Sequence, residues 1–291
     1  MRSLILGLVL VAPIPALADG PAVTASHDVL AAMVRAIAPD VIVTTIAPEG
    51  TDPATFTPDI PAIAAIQAAD LIVLNGAGFE PWASRVSLPR ARVVDTTTAM
   101  QEDLIHLTSQ SHSHGSGPTH SHDGTAPHVW LDFTLAGRQA QAVAYGLTRA
   151  NPDGADSHAA NLATLNDRLA ALDAQAQAVG AALAGRTVLV AQPGFEYLGR
   201  AYDIALQEAT LDPAAPATSD QLAALDAALA AGALPLMLWN AAPPADTATA
   251  LADRDVAIVV LPDGAQVPAD QDPFDAIAAG LTALAAALPP A

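Results

Sequence analysis

Residues 155–184 carry one helical pattern without a break, and it divides everything else in the chain into two. Leu162, Leu165, Leu169 and Leu172 recur at spacings of three and four, which puts them on one helix face, and Gly185 closes the pattern. On both sides, short apolar runs alternate with helical stretches. Before it, 22–25, 41–46, 71–74 and 92–95 read as strands, and 28–38, 60–68 and 134–149 as helices. After it, 187–191, 204–206, 234–239 and 256–261 read as strands. Residues 195–202, 220–231 (with Ser219 as its cap) and 273–288 read as helices. Strands alternating with helices imply parallel sheets covered on both faces. The expected fold is α/β: two lobes, each a parallel sheet flanked by helices, joined by one long rigid helix. Ligands of such sheets bind beyond the carboxyl ends of the strands, which here means the cleft where the lobes face each other.

The first residues bear on the compartment. Arg2, the apolar run 4–11 and the small residues Ala16-Leu17-Ala18 read as a signal peptide over 1–18. The expected organisation is then an N-terminal lobe over 19–150 with a His-rich loop at 106–127, a linking helix over 151–185 and a C-terminal lobe over 186–291. Such a leader sends the chain to the periplasm. There is no cysteine, so no disulfide is available, and any metal must be held by nitrogen and oxygen. The net charge of −19 argues against a nucleic-acid partner. All eleven basic residues are arginine, which reads as composition bias.

Six of the eight histidines lie between His106 and His128. His112, His114, His120 and His122 sit among Ser, Gly, Thr and Pro, where nothing can build a core. Imidazole suits zinc, copper and nickel, so the stretch reads as a metal-collecting loop. His128 is different. In Pro127-His128-Val129-Trp130-Leu131-Asp132 a stiff proline and a large anchor side chain flank it, so one geometry can be held. His106 reads as the edge of the loop and His158 as a surface residue.

Five segments then resemble a known family in register: GTDPATFTPD (50–59), ADLIVLNGAGFEPW (69–82), APHVWLD (126–132), NLATLNDRLAALD (161–173) and FEYLGRAYDI (195–204). The chain is similar to the periplasmic solute-binding proteins of zinc and manganese ABC transporters, the zinc-binding type with a His-rich loop. The resemblance implies the cluster A-I-like architecture, with metal in the interlobe cleft and delivery to a membrane permease. It also implies three histidines and a carboxylate as ligands. Carried over one by one, these fall on Ala54, His128, Gln192 and Asp263, so two of the three histidines are replaced here.

Several readings follow. His27, after the first strand and at the start of the first helix, stands in for the histidine missing at Ala54; otherwise it is a half-exposed helix-cap residue. Glu80 is a weaker oxygen candidate. Alternatively His120 or His122 folds over the cleft, or the cleft has taken another role. The leading function is capture of a divalent transition metal for an ABC importer by a monomer, with Zn2+ first and Mn2+, Ni2+ or Cu2+ behind it. The runner-up is an accessory metallochaperone or buffer that holds metal mainly on the loop and hands it to another periplasmic metal-binding protein. Nothing suggests an enzyme: there is no His-Glu-x-x-His, no Gly-x-Ser-x-Gly and no P-loop.

Overall fold

In a computed structural model of the chain, residues 20–107 and 124–288 are described; the signal-peptide segment and His112, His114, His120 and His122 lie outside them. The first sheet is built from β1 (Ala22–Ala25), β2 (Ile42–Thr45), β3 (Leu71–Leu74) and β4 (Val93–Asp95). These are all parallel, in the order β2-β1-β3-β4. Strand β3 reads Leu-Ile-Val-Leu with every residue buried, as expected of a strand covered on both faces. A two-residue hairpin, β5 (His106–Leu107) with β6 (Gly124–Thr125), forms the root of the histidine-rich stretch.

The second sheet comprises β7 (Thr187–Val190), β8 (Ala205–Glu208), β9 (Leu236–Trp239) and β10 (Ala257–Val260), again all parallel, in the order β10-β9-β7-β8. In each sheet the order reverses beside its first strand, and that is where a crevice opens at the strand ends.

The helices covering the first sheet are α1 (Asp28–Ile37), α2 (Ile60–Ala68) and α3 (Phe133–Ala150). Helix α4 (Ala155–Leu183) runs between the two sheet-bearing lobes and packs on α1, α3 and also α8 (Pro273–Ala287) of the second lobe. Its buried face includes Leu165, Leu169, Leu172, Ala176, Val179 and Leu183, with Leu162 half-buried against the same core. Arg168 on α4 is bidentate to Asp272, the cap of α8, at 2.6 and 3.2 Å, and also reaches Asp275. The remaining second-lobe helices are α5 (Glu196–Ala201), α6 (Ser219–Ala230) and α7 (Ala245–Ala252).

Two expectations are corrected, and one helix was not expected. The cap of α6 is Thr218, not Ser219. The Thr218 hydroxyl accepts from the Gln221 N–H while the Gln221 side chain accepts from the Thr218 N–H, a reciprocal capping box. Thr218→Ala is therefore expected to cost about 1 kcal/mol in urea denaturation. His158 is not a surface residue: it is 4% exposed, and its Nδ1 lies 3.1 Å from the Thr148 hydroxyl. The cause is the short α3–α4 connection, which folds the first turn of α4 onto the last turn of α3. Helix α7 carries no signal in the sequence because Pro243-Pro244 and two threonines mask it; Thr247 and Leu251 bury its inner face.

Candidate functional site

His128 sits where the hairpin root turns into α3. Ala126 N–H donates to the Ile105 carbonyl, and a 3-10 turn over Val129–Leu131 follows, with all three of its residues fully buried. Asp132 then caps α3 by accepting from the Thr134 and Leu135 N–H groups. This segment is anchored on both sides, so the imidazole between them has little freedom.

Asp263 follows β10 in the second lobe. One of its oxygens, Oδ1, accepts from the Ala265 N–H at 2.8 Å. Gly264, at φ +80°, makes the turn, and a Cβ there would press Ile277 and Val29 at 3.0 Å. The other oxygen, Oδ2, stands 3.8 Å from His128 Nε2. The two lobes are joined beside this pair. The Trp130 indole N–H donates to the Asp263 carbonyl at 2.6 Å, the Asp28 N–H to the Ala265 carbonyl at 3.0 Å, and the Val267 N–H to the Asp28 carboxylate at 2.9 Å.

A third loop closes in after β7. Gly194 has φ +133°, a conformation that favours glycine, and a Cβ built on it would lie 3.4 Å from the His128 ring. Gly194 was not legible as a site residue, because glycine carries no ligand; only the fold shows its backbone against the imidazole. Gln192, two residues earlier, lines a cavity of about 330 Å³ with Gly194, Glu196, Arg200 and Glu208.

His27 is the N-cap residue of α1, but its side chain makes no cap bond and it is 1% exposed, so the half-exposed cap alternative does not hold. Its ring lies 4.2 Å from that of Trp130 and 4.9 Å from that of Phe79. Burial pulls its pKa down to about 3, with the nearby His128 adding to the effect and the Asn75 side chain opposing it. Nδ1 of His27 and Nδ1 of His128 are both buried without a hydrogen-bond partner. Among the described residues no three His, Cys, Asp or Glu side chains form a metal-holding group. The structure therefore brings together His128 and Asp263, and it does not add His27 to them as a third donor.

Ala54 is half-buried against the main core. Glu80 is committed elsewhere. Its two oxygens accept from the backbone N–H groups of Asn75 and Gly76 at 2.6 and 3.1 Å. Burial pushes its pKa up to about 7 despite these bonds. Trp239 is buried in the core of the second lobe. A cavity of about 760 Å³ is lined by His27, Asp28, Arg35 and Glu49 on one side and by Ala265, Arg168 and Asp272 on the other; neither His128 nor Asp263 lines it.

The family model described as "Zinc-uptake complex component A periplasmic" matches residues 23–287. The chain belongs to this family. Family membership accounts for the paired sheets and the long helix between them. A relative from Treponema pallidum (strain Nichols) is 29% identical over 163 residues, 55% of this chain and 52% of its own length. The high-affinity zinc uptake system protein ZnuA of Paracoccus denitrificans is 26% identical, over 69% of this chain and 70% of its own. The zinc-binding lipoprotein AdcA of Streptococcus pneumoniae is 28% identical over 57% of this chain but only 34% of its own. The chain thus spans about half the Treponema relative and about a third of AdcA.

Among solved structures, the zinc-bound ZnuA-like domain of AdcA superposes with a TM-score of 0.77 at 18% identity, covering 92% of this chain and 99% of that one. The periplasmic zinc-binding protein TroA of Treponema pallidum gives 0.72 at 22%, covering 93% and 100%. At these identities the likeness is one of fold.

Proposed function

We propose that this protein is an extracytoplasmic solute-binding component that captures a divalent transition metal, zinc first, and presents it to an ABC permease. The observation that carries this reading is the 3.8 Å separation of His128 Nε2 and Asp263 Oδ2 across the lobe junction. That gap is too long for a direct hydrogen bond. Two donors each ~2.1 Å from one tetrahedral zinc stand about 3.4 Å apart, close to what is seen. The relatives named for zinc support the choice of cargo, and capture and release need no chemical step.

Two protein donors are fewer than a closed four-coordinate site has. Water, or the histidines at 112, 114, 120 and 122, would complete the shell, so the cleft should hold zinc more weakly than a three-histidine site. Because no three-donor group occurs among the described residues, a second reading stays in play: an accessory metallochaperone or buffer binding chiefly through the histidine-rich stretch.

Isothermal titration of residues 19–291 with zinc, beside a chain lacking 108–123, separates the two. Retention of one zinc of similar affinity after the deletion supports capture in the cleft. Loss of all zinc binding on deletion, with His128→Ala binding like the parent, supports the buffer and rejects the first reading.

A further inference from the structure

We propose that Asn75, at the end of β3, is the positioning residue of the cleft, holding the peptide that carries His128 and fixing the ring on which the Asp263 grip is packed. The inference rests on the reading of His128 and Asp263 as the cation's donors. Asn75 is fully buried. Its Nδ2 donates to the Gly76 carbonyl at 3.0 Å and to the Pro127 carbonyl at 2.9 Å. Carbonyls only accept, so the orientation of the carboxamide is decided. The Pro127 carbonyl belongs to the peptide whose nitrogen is that of His128. A single hydrogen bond thus ties the His128 backbone to the central strand of the first sheet.

The other end of the carboxamide, Oδ1, accepts from Gln139 Nε2 at 2.9 Å and faces His27 Nε2 at 3.5 Å. An acceptor facing Nε2 favours the His27 proton on that nitrogen, which leaves Nδ1 bare. Gln139, itself fully buried, also donates to the Thr96 hydroxyl, which donates back to the Asn75 carbonyl. The His27 ring, oriented by Asn75, lies at an interplanar angle of 32° to Trp130, and Trp130 grips the Asp263 carbonyl. One side chain therefore supports His128 directly and Asp263 through two packed rings. Outer groups of this kind set the direction of metal donors, and their loss typically weakens binding about 10- to 100-fold.

The test uses the full chain. In the metal-free parent, long-range proton–nitrogen NMR of the imidazoles, assigned with His27→Phe, should show His27 in the Nε2–H form. Asn75→Ala should release that tautomer and weaken zinc about 10- to 100-fold while unfolding stays cooperative. Asn75→Asp keeps an oxygen for His27 but loses the donor to Pro127, so it should keep the tautomer and still lose affinity. If Asn75→Ala does not fold, Gln139→Leu, which removes the second hydrogen bond holding the Asn75 carboxamide, is expected to keep the His27 tautomer, loosen the carboxamide and weaken zinc in the same direction.

A parent whose His27 carries its proton on Nδ1 overturns the proposal. So does an Asn75→Ala chain, or in its place a folded Gln139→Leu chain, with parental zinc affinity when His128→Ala has lost it. Should His128→Ala bind zinc like the parent, the capture reading fails instead, and the tautomer alone decides the role of Asn75.

Discussion

Replacing His128 with alanine is expected to remove the stabilisation that zinc confers on a chain lacking residues 108–123. A ligand that binds only the folded form at about 100 times its dissociation constant adds about 2.7 kcal/mol. On the proposed capture function, that gain in the parent is expected at a junction where Trp130, Asp28 and Val267 already tie the lobes together. Asp263 alone leaves a single protein residue at the cation, fewer than a zinc site needs. The comparison is made with and without zinc for each chain, so the cavity left by the missing ring cancels. Urea denaturation at fixed free zinc reads it directly. A His128→Ala chain that gains the full parental increment would show that the cation sits elsewhere.

The second expected result concerns acid stability. His27 is held near a pKa of 3, against 6.5 in the unfolded chain, chiefly by burial. Its folded value is lowered, so below pH 6.5 the unfolded chain binds a proton that the folded chain refuses. Stability is then lost as pH falls from about 6.5 to about 3, at about 1.4 kcal/mol per pH unit and up to about 5 kcal/mol in all.

Glu80 runs the other way. Its folded pKa is raised from 4.5 to about 7 by burial, so the folded chain takes a proton first, and stability rises as pH falls from about 7 to 4.5. The two slopes oppose each other between 6.5 and 4.5; below 4.5 only that of His27 remains. Denaturation of the parent and of His27→Phe at several pH values isolates the histidine. The difference between them should change by about 1.4 kcal/mol per unit between pH 6 and pH 4. A flat difference would show that the ring titrates normally. Glu80→Gln should give a difference of opposite sign.

Much of the architecture was legible because short apolar runs and long periodic helices are local signals. Strand β3 is four buried apolar residues in a row, and the leucine spacing of α4 is unmistakable. The meeting of His128 and Asp263 was legible for a different reason. Both lie in loops where strand ends meet, and the resemblance to a known family put each in register.

What escaped was set by contacts far apart in the chain. His27 reads as a half-exposed cap until Phe79 and Trp130 fold over it. Gln192 follows β7 as expected and shares its cavity with Gly194, whose approach to the His128 ring no local pattern shows. Asn75 sits in a glycine-rich turn motif, and no local pattern says that its carboxamide reaches Pro127 and Gln139.

The hydrogen bond from Asp28 to the Ala265 carbonyl joins main chain to main chain between halves that share no strand. Parting them resembles peeling the edge off a ribbon, and water must replace each bond as it breaks. Under the proposed capture function, how long an ion stays would be governed by how often this seam frays as well as by the donors that touch the ion. A permease that held the two rims apart would shorten that stay without ever reaching the cargo.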